Sequence, residues 1–263
     1  MHYTFMKISP SVKIINFKSS TKRIEKRDLD AKDVNNHPIL SNPNVNFYSC
    51  YTYFFREDVG ENWKNFIKAI DKHFSGAEKV NVFNFGCSDG SEAHSFLMCL
   101  FDTLGAKKAK KFLPIQAFDI DQQIIDSAKS GKILCSREDM NRINRNCPTF
   151  YKYCNIYYDR SGFDGWFVPK ENLKNELSFS KGDFTEKIND LPPKNNLIMC
   201  RNMWYYLGED KIFDILYELS EKIDETSLVV IGDFDRKYVL AILDALNFEE
   251  ITMNVFKKRN LKK

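Results

Sequence analysis

Val80-Asn81-Val82-Phe83-Asn84-Phe85-Gly86-Cys87-Ser88-Asp89-Gly90-Ser91-Glu92 is the stretch on which the reading of the whole chain depends. Its first half alternates β-branched or aromatic residues with Asn and stops at Gly86, the pattern of a strand. Phe96, Leu97, Leu100, Phe101 and Leu104 then recur at helical spacing. Strand, tight loop and helix follow in that order. Gly86 and Gly90 let the backbone approach a ligand closely, because neither has a Cβ in the way. A helix N-terminus of this kind commonly receives a phosphate. Here Asp89 and Glu92 place carboxylates at the mouth, where they repel a pyrophosphate and favour a ligand with a cationic end. S-adenosylmethionine, with an ammonium and a sulfonium, fits that charge better than a dinucleotide does. Capping by Asp89 and dipole complementation by Glu92 account for the same residues equally well.

Working outward, Trp63, Phe66, Ile67, Ile70 and Phe74 form a helical face that leads into this strand. Beyond it, Gly105 to Lys111 reads as a basic loop and Pro114 to Asp121 as a second strand ending in acid. A carboxylate at the end of the strand after a glycine loop is where doubly wound folds hold a ribose diol. Asp119 is the candidate, since Asp121 is better placed to cap the helix that begins near Gln122. From about 132 to 177 the periodicity is lost and aromatics mix with polar residues, too long a stretch for a plain loop. An inserted subdomain, helix then short strands, is expected there; a small satellite core is the competing reading.

Alternation then resumes. Strands are expected at Leu177 to Phe179, Asn196 to Asn202, Ser227 to Ile231 and Ile251 to Phe256, with helices at Glu209 to Ile223 and Lys237 to Leu246. Such alternation makes an open, mainly parallel sheet covered on both faces, a Rossmann-like doubly wound α/β fold. Gly86, Asp119, Asp183 and Asn202 all fall at carboxyl ends of strands, where such sheets bind ligands.

The totals agree with one such domain. A chain of 263 residues with 43% apolar content supplies a full core, and a net charge of +3 leaves no bias toward nucleic acid. Residues 1–46, with Lys22, Arg23, Lys26 and Arg27, read as a basic N-terminal extension, and 47–263 as the main domain. The seven Cys include no CxxC pair and read as reduced thiols of a cytoplasmic protein. No segment approaches the roughly 18 apolar residues of a membrane span, and no metal-ligand spacing is visible. Of the four His, His94 alone lies near a motif, and it reads as a packing residue.

With these residues laid out, the sequence resembles the CheR-type family of S-adenosylmethionine-dependent protein-glutamate O-methyltransferases, whose fold is the class I methyltransferase type. Thr52-Tyr53-Phe54-Phe55-Arg56-Glu57 is similar to the family's T-x-F-F-R-E, and Gly86-Cys87-Ser88-Asp89-Gly90-Ser91-Glu92-Ala93-His94-Ser95 to its G-C-S-T-G-E-E-P-Y-S. Asp119-Ile120-Asp121 stands for its D-I-D, Ser130-Gly131 precedes the insertion, and Cys200-Arg201-Asn202-Met203-Trp204-Tyr205-Tyr206-Leu207 is similar to C-R-N-V-x-I-Y-F.

The resemblance implies S-adenosylmethionine as cofactor, with S-adenosylhomocysteine as product. Thr52 and Arg56 would line the pocket, with Gly86 and Cys87 in its loop. Glu92 would take the methionine ammonium and Asp119 the ribose hydroxyls. Asp183 and Phe184 would lie beside the adenine, where the family has Asn-Leu, and Arg201 and Asn202 would form the floor. Arg56 and Tyr206 would be the catalytic pair at the transferred methyl. The implied partner is a protein with an exposed glutamate, such as a chemoreceptor or another signalling protein. A methyltransferase for another acceptor and a non-catalytic donor-binding module are the alternatives.

Overall fold

The computed structural model describes residues 55, 59, 60, 62–158 and 164–260. Residues 1–46, read above as a basic extension, lie outside this set. The elements in chain order are α1 (Trp63–His73), β1 (Asn81–Phe85), α2 (Ser91–Ala109), β2 (Ile115–Asp119), α3 (Gln122–Ser130), β3 (Ile133–Ser136) and α4 (Arg137–Asn146). They continue as β4 (Cys154–Tyr158), β5 (Asp164–Pro169), α5 (Glu171–Lys174), β6 (Leu177–Lys181), α6 (Phe184–Lys187), β7 (Asn196–Met199), α7 (Glu209–Lys222), β8 (Leu228–Val230), α8 (Arg236–Ala245), β9 (Phe248–Thr252) and β10 (Val255–Lys258).

Seven strands form one sheet in the order β6-β2-β1-β7-β8-β10-β9. β1 is parallel to both β2 and β7, β2 to β6, and β7 to β8, whereas β10 runs antiparallel to β8 and β9. The order reverses about β1, so the carboxyl ends of β1, β2 and β7 form the crevice in which a doubly wound sheet binds its ligand. Alternation along each strand explains the two covered faces. Val82, Ala117, Met199 and Val230 pack on one side with Trp63, Phe66 and Phe96, while Phe83, Phe85, Ile198 and Val229 pack on the other with Ile212, Leu216 and Val239.

β3, β5 and β4 form a separate three-stranded antiparallel sheet between α3 and β6. It opens on a strand, β3, so helix α4 follows a strand instead of preceding all of them.

Two further expectations are corrected. The stretch Gly105 to Lys111 is not a loop: helix continues to Ala109 and a 3-10 turn to Phe112, with Gly105 at φ 71° marking a break within α2. The last strand, expected at Ile251 to Phe256, is a hairpin. Met253 and Asn254 turn between β9 and β10, with Asn254 at φ 63°. Arg236 holds that turn by donating to Asn254 Oδ1 (2.7 Å) and Glu250 Oε1 (2.6 Å). An Asn that tolerates the left-handed region is the local signal for it.

Candidate functional site

The loop after β1 is built by its own sequence. Gly86 and Gly90 take φ values of 64° and 86°, in the left-handed region where a Cβ is strained, and Ser88 stands at 50°. A Cβ on Gly90 would also crowd the Phe179 ring at 2.9 Å. Asp89 accepts from the Ser91 N–H (2.9 Å), satisfying an amide at the start of α2. The N-cap of α2 is Gly90, and Asp89, one residue before it, serves the helix start through Ser91 alone.

Asp119 ends β2 with its carboxylate turned back onto that loop. Oδ2 accepts from the Ser88 N–H (3.0 Å) and Oδ1 from the Asp121 N–H (3.1 Å). Burial pushes its pKa up, against the pull of those two amide hydrogen bonds. Asp121 caps α3, accepting from the Gln123 N–H (2.9 Å). Asp183 caps α6 in the same way: its Oδ1 accepts from the Thr185 N–H (2.9 Å) and hydroxyl (2.8 Å).

Phe85, Gly86, Asp119, Ile120, Gly182, Asp183, Phe184, Met203, Tyr206, Leu207, Lys211 and Ile215 enclose one pocket at the carboxyl rim. Gly86, Asp119, Asp183, Phe184 and Tyr206, five of the residues singled out from the sequence, thus converge. Phe85 stacks on Phe184 at 4.3 Å, and Phe184 meets Trp204 edge-on at 5.7 Å. Ile120, 43% exposed, is an apolar side chain left open on the pocket wall. The sequence reading passed over Ile120, Met203, Leu207, Lys211 and Ile215. Ile120, Met203 and Leu207 sat inside quoted motifs and could have been found there, whereas Lys211 and Ile215 sit on α7 with no motif to mark them.

Cys87, Glu92, Arg201 and Asn202 lie behind this wall, all buried. Glu92, 1% exposed, accepts from Asn84 Nδ2 (2.7 Å) on one oxygen and pairs with Arg201 Nη1 (2.6 Å) on the other. The Trp63 ring covers the guanidinium at 5.3 Å. This ties β1, α2 and the turn after β7 through a buried ion pair. Burial pushes the Cys87 thiol well up, so it stays neutral. His94 is sealed against Phe179 and lowered by burial to about 3, a neutral packing ring.

Thr52 and Arg56 lie outside the described residues. Their neighbour Phe55 donates its N–H to the Ser95 hydroxyl (3.1 Å) and packs edge-on against Trp63. No group of His, Cys, Asp and Glu side chains among the described residues is arranged to hold a metal ion.

The residues present suit an adenosyl ligand. Carboxylates at the ends of β2 and β6 accept from hydroxyl and amino groups, and Ile120, Phe184, Leu207 and Ile215 offer apolar walls to a flat base. At the start of α2 the Ser91 N–H is already taken by Asp89, and Glu92 is paired with Arg201.

The family described as CheR methyltransferase, SAM binding domain, matches residues 51–239. A chemotaxis protein methyltransferase of Borreliella burgdorferi is 25% identical over 230 residues, which cover 86% of this chain and 77% of that protein. Proteins of the same name from Salmonella typhimurium and Escherichia coli are 24% and 23% identical. They cover 59% and 69% of this chain, and the chain covers 51% and 59% of their lengths.

Proposed function

This chain belongs to the CheR methyltransferase family, and from that premise we propose that it transfers a methyl group from S-adenosylmethionine to a glutamate carboxylate of a protein. The single observation that carries the site assignment is the pocket at the ends of β1, β2, β6 and β7, acidic at its rim and apolar on its walls.

Asp119 would hold the ribose hydroxyls on the lone pairs that the Ser88 and Asp121 amides leave open. Asp183 and Phe184 would flank the adenine, with Ile120 against its face. Gly86 and Cys87 would carry the loop beneath the amino-acid end, and Thr52 would contribute to donor binding. Glu92, which Asn84 and Arg201 hold behind the wall, would act on the ammonium by its charge through that layer, with Arg201 and Asn202 as the floor.

The bound cofactor supplies an electrophilic methyl on a sulfonium. A glutamate side chain has a reference pKa near 4.3 and is already ionised at neutral pH, so no general base is required. What remains is orientation. Arg56 would clamp the carboxylate by paired hydrogen bonds and the Tyr206 hydroxyl would hold one of its oxygens in line with the methyl carbon.

The acceptor is a protein with an exposed glutamate, and the relatives' names make a chemoreceptor the first candidate. No described helix is long and apolar enough to cross a membrane. The β3-β5-β4 sheet, within about 132–177, is the natural inserted subdomain, and 47–263 the methyltransferase domain. Tyr151 and Tyr157 are exposed on the subdomain. Incubation with methyl-labelled cofactor and candidate acceptors should label protein in a form released as methanol by mild base. A base-stable label would overturn the glutamate assignment in favour of another acceptor.

A further inference from the structure

Asp235 lies just beyond β8, fully buried, and belongs to none of the motifs quoted above. Its carboxylate accepts backbone N–H groups from two separate turns. Gly232, three residues back on its own turn, donates to Oδ2 at 3.0 Å. Trp204, on the turn after β7, donates to Oδ1 at 3.1 Å, and the Asn202 N–H also donates to Oδ2. The Gly232 bond alone is an ordinary helix-start cap. The other two are not local: they grip the amides on either side of Met203.

We propose that Asp235 is a positioning residue for the methyl-donor pocket: by holding the Asn202 and Trp204 amides it fixes the turn that delivers Met203 and Tyr206 to the pocket wall. This inference rests on the donor-site reading above.

The surrounding geometry leaves little freedom to that turn. Asn202 sits at φ 56°, in the left-handed region, and a Cβ on Gly232 would collide with the Asn202 amide group. Trp204 donates its indole N–H to the Cys200 carbonyl (2.8 Å) and stands edge-on against Phe184. Met203 packs beside Gly86, where a Cβ would meet its side chain at 3.5 Å, and the Tyr206 N–H returns to the Met203 carbonyl at 3.3 Å. Two charge-assisted bonds to one carboxylate therefore set where a pocket wall stands, although Asp235 is itself absent from that wall.

Its protonation should then be felt in the pocket. Burial raises Asp235 to about 7, against the amides of Gly232, Asn202 and Trp204 and the charge of Arg201. The Cys200 thiol beside it is pushed well up by burial and stays neutral. On its own turn stand Asp233 and Arg236, the latter bound to Glu250.

Adenosylhomocysteine affinity, read by calorimetry, separates the two ideas. Measurable binding to the wild-type protein tests the donor-site reading, and the ratio between variant and wild type tests the clamp. Asp235→Asn puts an amide NH2 where an N–H acceptor is needed, and should weaken binding by about tenfold or more in protein that is still folded. A cap with no positioning role would lower the unfolding midpoint and leave that affinity alone.

A second measurement needs no variant. Between about pH 5.5 and 8.5, the amide resonances of Gly232, Asn202 and Trp204 should titrate with the same midpoint as the loss of affinity on acidification. Binding by Asp235→Asn within about twofold of wild type, or amides that titrate while affinity stays flat, would overturn the proposal.

Discussion

The wall of the pocket and the layer just beneath it are built from the same residue types and are exposed to different things. Asp119 and Asp183 spend some of their capacity on loop amides and keep the rest at the pocket. Glu92, in the first turn of α2, and Asp235, on the turn after β8, are sealed and turned toward Arg201 and backbone N–H groups. An acid near the sheet's carboxyl rim is thus either a ligand group or a brace for the loops that hold ligand groups. What separates them is cover: the Trp63 ring lies over the Arg201 guanidinium that Glu92 holds, whereas Ile120 on the pocket wall stays 43% exposed.

The largest effect should come from the sealed layer. Glu92→Ala leaves the Arg201 guanidinium buried without its carboxylate, and one broken partner of such a pair costs about 3–5 kcal/mol. Chemical denaturation should show a loss in that range. A loss below about 1 kcal/mol would mean that Arg201 finds water, and that the two layers are not distinct.

The wall should behave in the opposite way. Asp119→Asn keeps the size of the side chain but can satisfy only one of the Ser88 and Asp121 amides, so adenosylhomocysteine affinity should fall by about 1–3 kcal/mol. Its unfolding midpoint should move less than that of Glu92→Ala, because its charged form is already disfavoured by burial. Tyr206→Phe removes one hydroxyl from the rim. Turnover should drop about tenfold with cofactor affinity unchanged, the signature of a group that orients the acceptor. Equal losses in both would make Tyr206 a cofactor residue.

Periodicity and strand-end logic made the wall legible and left the layer hidden. Alternation in Val80 to Phe85 and the continuous apolar run Leu197 to Cys200 announced buried parallel strands, and glycines at 86 and 90 announced the loop. Asp121 was readable as a cap from its place before Gln122. Pairing across 109 residues, as between Glu92 and Arg201, leaves no local trace. Asp235 was passed over because an acid three residues after a glycine reads as a helix start, which it also is. The hairpin at Met253 and Asn254 was missed because Ile251 to Phe256 contains no Gly or Pro, and the turn rests on Asn254 held by Arg236 from another element.

The smallest effect belongs to an acid outside both layers, and it sharpens the contrast by sign. Glu250 shares a bidentate pair with Arg236, at 2.6 and 3.1 Å, with both side chains about a third exposed. Hydrogen bonding to Arg236 holds its pKa below the usual 4.5. Its contribution to stability is therefore present above pH 4.5 and is lost as the pH falls through the lowered value. Asp235, raised from 3.8 to about 7, does the reverse: its neutral form favours the fold below pH 3.8, and that advantage is lost as the pH rises through about 7. Glu250→Gln should thus cost under about 1 kcal/mol at neutral pH, because solvent screens the pair, and nothing once the carboxyl is protonated. Stability curves of Glu250→Gln and Asp235→Asn, each subtracted from wild type, should slope in opposite directions with pH. Parallel slopes would show that Asp235 is solvated like Glu250, and the distinction between an open acid and a sealed one would fail at its most exposed test.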